Sequence, residues 1–179
     1  MPLGDLLRIQ PNRESLISLW QQANRLPGGK AIFSKLAAQM APYTATIGAR
    51  IEHLEPGHAR TSMADRRAVR NHLNCVHALA LANLAEETSG LAMLSGLPSG
   101  LRGIIYRFEI DYLVKARGTI YGEAHAPEVP EEDGAGDYGV DVALRDEAGT
   151  VVCRARFFWR IGYGRAGAGS QRAQAASQR

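Results

Sequence analysis

The residues best suited to chemistry lie in one stretch, Asn71-His72-Leu73-Asn74-Cys75-Val76-His77-Ala78-Leu79-Ala80-Leu81-Ala82-Asn83-Leu84-Ala85-Glu86, where polar groups sit at both ends of an apolar run. A helix starting near Val76 presents unpaired backbone N–H groups and the positive end of its dipole. Such an end can polarise a carbonyl or hold an oxyanion. Asn83 and Glu86, three residues apart, share a face of that helix. A carboxylate halfway along an apolar helix loses solvation, which raises its pKa, and raised carboxylates are the usual general bases near neutral pH. Glu86 therefore reads as a general base or nucleophile, with the alternative that Glu86, Glu87, Thr88 and Ser89 mark where the helix emerges into water. His72 and His77 read first as caps of the helix start, and Asn71 and Asn74 as loop or N-cap residues. Cys75 has no partner base at a fixed spacing that would make it a nucleophile.

Two basic groups flank this stretch in sequence. Arg66, Arg67 and Arg70 precede it, and Lys115 and Arg117 stand beside Gly118. Either group could meet the phosphates of a nucleotide-like carrier, or could simply be a solvated face. The whole chain of 179 residues carries 21 Lys and Arg against 18 Asp and Glu, a formal charge of +3. Arg165, Arg172 and Arg179 lie in a tail without acids, so the body is close to neutral and its acids are spread among its bases. Nucleic-acid binders usually concentrate basic charge on one face, so nucleic acid is not an expected partner. Cys75 and Cys153 give no metal-ligand spacing and no disulfide framework, which points to a reduced, cytoplasmic protein with neither metal nor cofactor. No basic and apolar leader opens the sequence and no run approaches a membrane span, so no membrane is expected either.

The elements that must position these residues follow from periodicity. Leu16, Leu19 and Trp20, then Ile32, Phe33, Leu36, Ala37 and Met40, recur at helical steps, divided into two helices by Pro27-Gly28-Gly29. After Pro42 the period becomes two: Ile47, Ala49 and Ile51 alternate with polar residues, and beyond the Glu55-Pro56-Gly57 turn so do Ala59, Thr61 and Met63, predicting a hairpin. Val76 to about Leu94 is apolar all round and predicts a buried helix. Four strands follow, the first placing Ile104, Tyr106, Phe108, Ile110 and Tyr112 on one face, the others near 119–126, 138–145 and 151–161. Strands arranged around a single buried helix predict an α+β domain with an antiparallel sheet, because a parallel sheet needs a crossover between most strands. Residues 1–43 read as a helical N-terminal extension, 44–162 as the domain, and 163–179 as a tail whose Gly, Ala, Ser, Gln and Arg cannot join a core.

This order resembles the hotdog fold, a long helix wrapped by an antiparallel sheet, and more specifically the acyl-CoA thioesterases related to the phenylacetate-pathway enzyme, in a branch with an extra N-terminal helical segment. The resemblance covers about Ala45 to Ile161. Its motif is Asn-x-x-Gly-x-x-His-Gly-Gly followed by an acid seven residues after the last glycine, and Asn71, His77 and Glu86 match that spacing. Asn74 stands where the motif has its first glycine, and Ala78-Leu79 replace Gly-Gly, so the backbone approaches a thioester less closely.

The resemblance implies that Asn71 and the Ala78 N–H hold the thioester carbonyl, that Glu86 is base or nucleophile, that His77 braces the loop, and that the arginines and lysine meet the phosphates of CoA. It also implies a site shared between two protomers, hence a homodimer or a dimer of dimers. Leu79, Leu81, Ile104, Tyr106 and Phe108 suggest a hydrophobic acyl group, with Asn83 beside it. Two alternatives stand: a non-catalytic acyl-binding or assembly module, and a hotdog dehydratase, whose histidine lies fourteen residues before an acid as His72 does before Glu86. The dehydratase pattern also needs Phe-Pro-Gly, which this segment lacks.

Overall fold

The computed structural model describes residues 13–164. Helix α1 (Arg13–Asn24) and helix α2 (Gly29–Met40) form where the apolar spacing requires them. They meet through Trp20 and Phe33, edge to face at 5.2 Å between ring centroids. The sharp reversal between them needs its glycines: Gly28 adopts φ +73°, and a Cβ on Gly29 would overlap the Ala23 carbonyl. A short 3₁₀ turn (Thr44–Ile47) leads to β1 (Arg50–Glu55) and β2 (His58–Met63). After a second 3₁₀ turn (Arg67–Val69) come the long helix α3 (Ala78–Gly96) and strands β3 (Leu101–Tyr112), β4 (Ile120–His125), β5 (Gly136–Arg145) and β6 (Val151–Tyr163).

The six strands form one antiparallel sheet in the order β1-β2-β4-β5-β6-β3, wrapped round α3 in the hotdog architecture. Leu81, Leu84, Ala85 and Ala92 of α3 pack on Met63, Ile120, Leu144 and Phe157 of the strands in a single core. Because small residues line the helix, the sheet comes close, and the polar atoms trapped between them pair with one another. The Thr61 and Thr88 hydroxyls share a hydrogen bond of 2.6 Å in full burial, Trp159 Nε1 donates to Ser89 Oγ at 2.9 Å, and Ser95 Oγ donates to the Glu55 carbonyl at 2.8 Å. Helix α2 covers the β1 side: the Ile51 N–H donates to Ser34 Oγ and Lys30 Nζ donates to the Glu52 carbonyl. At the other end of the sheet β3 has, among the described residues, a strand on one side alone.

Three expectations need correction. The first strand begins at Arg50 rather than near Ile47, because residues 44–47 turn and Gly48 takes φ +62°, and an irregularity between Ile51 and His53 shifts the inward position to Leu54. Helix α3 is not apolar-buried all round, since Leu79 is 63% exposed. The proposed apolar face of β3 is divided by a bulge between Ile105 and Arg107: Ile104 pairs with outward Arg160, whereas Phe108 and Ile110 pair with Phe157 and Ala155 on the helix side. The terminal arginines lie outside the described residues, as does most of the predicted tail.

Gly122 sits in β4 where the helix presses closest; a Cβ there would lie 2.6 Å from Thr88 Oγ1 and 2.9 Å from Thr61 Oγ1. Gly122→Ala is expected to cost about 1–3 kcal/mol in urea unfolding, whereas Gly136→Ala, whose Cβ would meet nothing nearer than 3.6 Å, leaves the midpoint nearly unchanged.

Candidate functional site

The helix start is built by its cap. His77 is extended (φ −66°, ψ 140°), and its Nδ1 accepts the Leu79 N–H at 3.0 Å, so the sequence reading of His77 as a cap is what the local geometry realises. Asn71 likewise organises the loop: its Oδ1 accepts the N–H groups of Leu73 and Cys75, and its Nδ2 donates to Cys75 Sγ at 3.3 Å. Asn74, where the related motif has glycine, adopts φ +55°. Asparagine is among the few side chains that visit this left-handed region readily, so the replacement keeps the turn. The Ala78 N–H, first in the helix, is not used by the cap, and the Tyr112 hydroxyl donates to the Ala78 carbonyl at 3.1 Å across from β3.

An open cleft of about 390 Å³ lies here, lined by Asn71, Cys75, Ala78, Leu81, Tyr112 and Lys115 among others. A second hollow, about 220 Å³, lies on the other side of the helix start and includes His77, Leu79, Asn83 and Arg70. The structure thus divides the predicted constellation. Asn71 and Ala78 face one hollow and His77, Leu79 and Asn83 the other. Glu86 stands further along α3, beside the 3₁₀ turn that Asn83 also reaches through the Tyr43 carbonyl at 3.4 Å. Tyr106 stands apart on the outer face of the sheet, its ring 4.6 Å beneath the Arg160 guanidinium.

Burial pushes the Glu86 carboxyl above its ordinary range, a shift that a hydrogen bond with Thr44 partly offsets. Its neighbour was missed by sequence reading. Burial, reinforced by the Glu86 charge, raises Glu87 from 4.5 to about 7, and Glu87 Oε2 is buried with no hydrogen-bond partner among the described residues. Nothing in a one-residue step of the sequence separates these two acids; three-dimensional desolvation does. The reading of 86–89 as the helix emerging into water is excluded, because Thr88 and Ser89 are fully buried.

The basic groups, distant in sequence, gather around Asp65. This carboxylate accepts from Arg70 Nε at 2.6 Å and from the Gly118 N–H at 3.2 Å, and Arg70 first, with Arg117 further off, holds it below the usual range. Arg66 is committed to the Thr46 carbonyl at 2.8 Å. Arg67, Lys115 and Arg117 keep side chains without hydrogen bonds among the described residues, and of the three Lys115 lines the cleft. Cys75 is buried beside Asn71, and burial raises Cys153 to about 11, so the Cys153 thiol is not activated.

The family of domains of unknown function called DUF4442 matches residues 29–161, from the first residue of α2 into the last strand, β6. The chain belongs to this family. No curated protein is significantly similar to this DUF4442 chain in sequence. Among solved structures it is similar to the structural-genomics protein APC5556, at 29% identity, with 83% of this chain and 99% of that one covered and a TM-score of 0.72. It is also similar to a Pseudomonas aeruginosa protein of unknown function described as a probable thioesterase, at 26% identity over 78% and 97% of the two chains, TM-score 0.68. A thioesterase from Haemophilus influenzae shares the fold at 15% identity over 73% and 87%, TM-score 0.63. The hotdog architecture of this DUF4442 member is thus that of thioesterase-family proteins.

Glu87 gives the site a stability signature. Its folded pKa of about 7 lies above the ordinary 4.5, so its contribution is fully present below about pH 4.5 and is lost as pH rises through about 7, a change on the order of 3 kcal/mol. Urea unfolding across this range is expected to show Glu87→Gln losing less stability with rising pH than the unaltered chain.

Proposed function

We propose that this protein hydrolyses an acyl thioester of the acyl-CoA type. What carries the reading is the pairing, on one apolar helix, of an N-terminus opening onto a cleft with carboxyls held partly out of water. The thioester carbonyl would lie against the Ala78 N–H with Asn71 beside it. Glu86 would take a proton from a water as that water attacks the carbonyl carbon; the oxyanion formed would be held by the helix end, and its collapse would expel the thiolate, which takes the proton back as thiol. Lys115, Arg67 and Arg117 suit the phosphates of CoA. The similar proteins described as thioesterases support the reaction class.

One chain cannot complete this arrangement. Ala78 and Glu86 are eight residues apart on a helix, about 12 Å along its axis, too far to serve one carbonyl. Strand β3 leaves Ile104, Tyr106 and Phe108 about half or more exposed at the free edge of the sheet. We therefore read the protein as a homodimer that pairs along β3, bringing Glu86 of the partner subunit to the cleft at Ala78. Two buried free cysteines suit a reducing, cytoplasmic setting. No helix among the described residues is long and apolar enough to cross a membrane.

Release of free thiol from short, long and aromatic acyl-CoAs tests the activity. Turnover by the unaltered protein is expected on at least one substrate, falling about a hundredfold or more in Glu86→Gln, as for loss of a general base. Turnover unaffected by that substitution would refute the assignment of Glu86. Binding of acyl-CoA without any turnover would favour the acyl-binding module.

A further inference from the structure

Far from the cleft, on the outer face of the sheet, the strand registers gather three histidines and two glutamates that lie scattered in sequence. Glu55 of β1 pairs with His58 of β2, and His58 pairs in turn with His125 of β4. Alternation along the strands puts His53, two residues before Glu55, and Glu123, two before His125, on this same face. The rings form a row. His58 stacks on His125 with centroids 4.0 Å apart and planes within 10°, and His53 flanks it at 4.8 Å. Glu123 Oε1 lies 3.0 Å from His58 Nε2 and 4.0 Å from His125 Nε2.

We propose that His58, Glu123 and His125 bind a divalent transition metal ion of the zinc class. The three donor atoms all lie within 4.8 Å of one another. A tetrahedral ion with ligand distances of about 2.1 Å needs its donors about 3.4 Å apart, and the observed 3.0 and 4.0 Å bracket that spacing. Two imidazoles and a carboxylate suit zinc, copper or nickel far better than magnesium or calcium, which prefer all-oxygen shells. The three side chains retain 22%, 48% and 70% exposure, so an ion reaches them without unfolding and keeps a coordination position for water. His53 and Glu55 make a second possible triad through the same His58. The β2–β4 triad is preferred because His58 Nε2 already points at Glu123. Arg60, 3.9 Å from the Glu123 carboxylate, works against the ion and must swing aside. Bound metal would cross-link β2 to β4 without touching the candidate thioesterase cleft.

The test is calorimetric titration of the full chain, free of any histidine tag and of metal, with ZnCl2, beside thermal unfolding with and without the ion. Saturable binding of one ion per chain is expected, with the unfolding midpoint raised by several degrees when zinc is in about hundredfold excess over its Kd. His58→Ala and His125→Gln should each weaken binding by about a hundredfold or more, since even indirect supports of a metal cost up to that much, while His53→Ala changes it by less than about tenfold. Glu123→Gln, which removes the anionic ligand with least change of shape, gives the same loss should the His58 variant fold poorly. No saturation by about 1 mM zinc, binding that survives His58→Ala and Glu123→Gln, or a loss in His53→Ala as large as in His125→Gln would overturn the assignment. Thiol release from acyl-CoA is a separate readout and does not bear on this result.

Discussion

The close seating of α3 in the sheet sets the terms for everything else in this protein. A helix of alanine, leucine, serine and threonine lets β4 approach until Gly122 has no room for a side chain, and that proximity seals off water. Each polar group caught in the seam then needs a protein partner, since an unmet buried hydrogen bond costs about 1–3 kcal/mol. Thr61 with Thr88 and Ser89 with Trp159 meet the requirement. Elsewhere on the helix Glu87 Oε2 has no partner among the described residues, and burial pushes its carboxyl and that of Glu86 upward. The packing that makes the core and the raised carboxyls of α3 thus have one physical origin in burial.

How much of this was legible in the sequence depends on the range of the interactions involved. Elements fixed by local periodicity were plain: the break at Pro27-Gly28-Gly29, the hairpin at Pro56-Gly57 and the order of strands about one helix all follow from spacing and turn residues. The shift of inward positions after Ile51 and the split face of β3 were not, because a bulge is settled by the partner strand and by what the two faces must bury. At the site, Glu86 and the helix cap His77 could be singled out by type and position. Glu87 could not, since an adjacent acid on a helix looks solvated until its neighbours in space are known. The convergence of Arg70 and Arg117 on Asp65, and of three histidines on one sheet face, comes from pairing between strands and loops far apart in sequence.

The replacements of motif glycines also take on distinct meanings in three dimensions. Asn74 supplies the left-handed turn that glycine would, so loop geometry survives. Ala78 retains the N–H a carbonyl needs, and its exposed methyl lies at the cleft rather than in the core. Leu79 projects outward and enlarges the apolar rim of the second hollow. None of the three removes a group on which the proposed chemistry rests; they change the shape of the hollows beside the helix start.

In the proposed mechanism one active site draws on two chains, and subunit mixing tests this directly. Proline is favoured at the first position of a helix, and His77 already has the extended backbone that precedes proline, so Ala78→Pro removes the key N–H at little cost to the fold. Ala78→Pro and Glu86→Gln proteins are each expected to be nearly inactive in thioester hydrolysis. Mixed by unfolding and refolding together, they form heterodimers in which one of the two sites is intact, and about a quarter of the unaltered activity returns. A mixture no more active than its components would contradict a site built across the dimer.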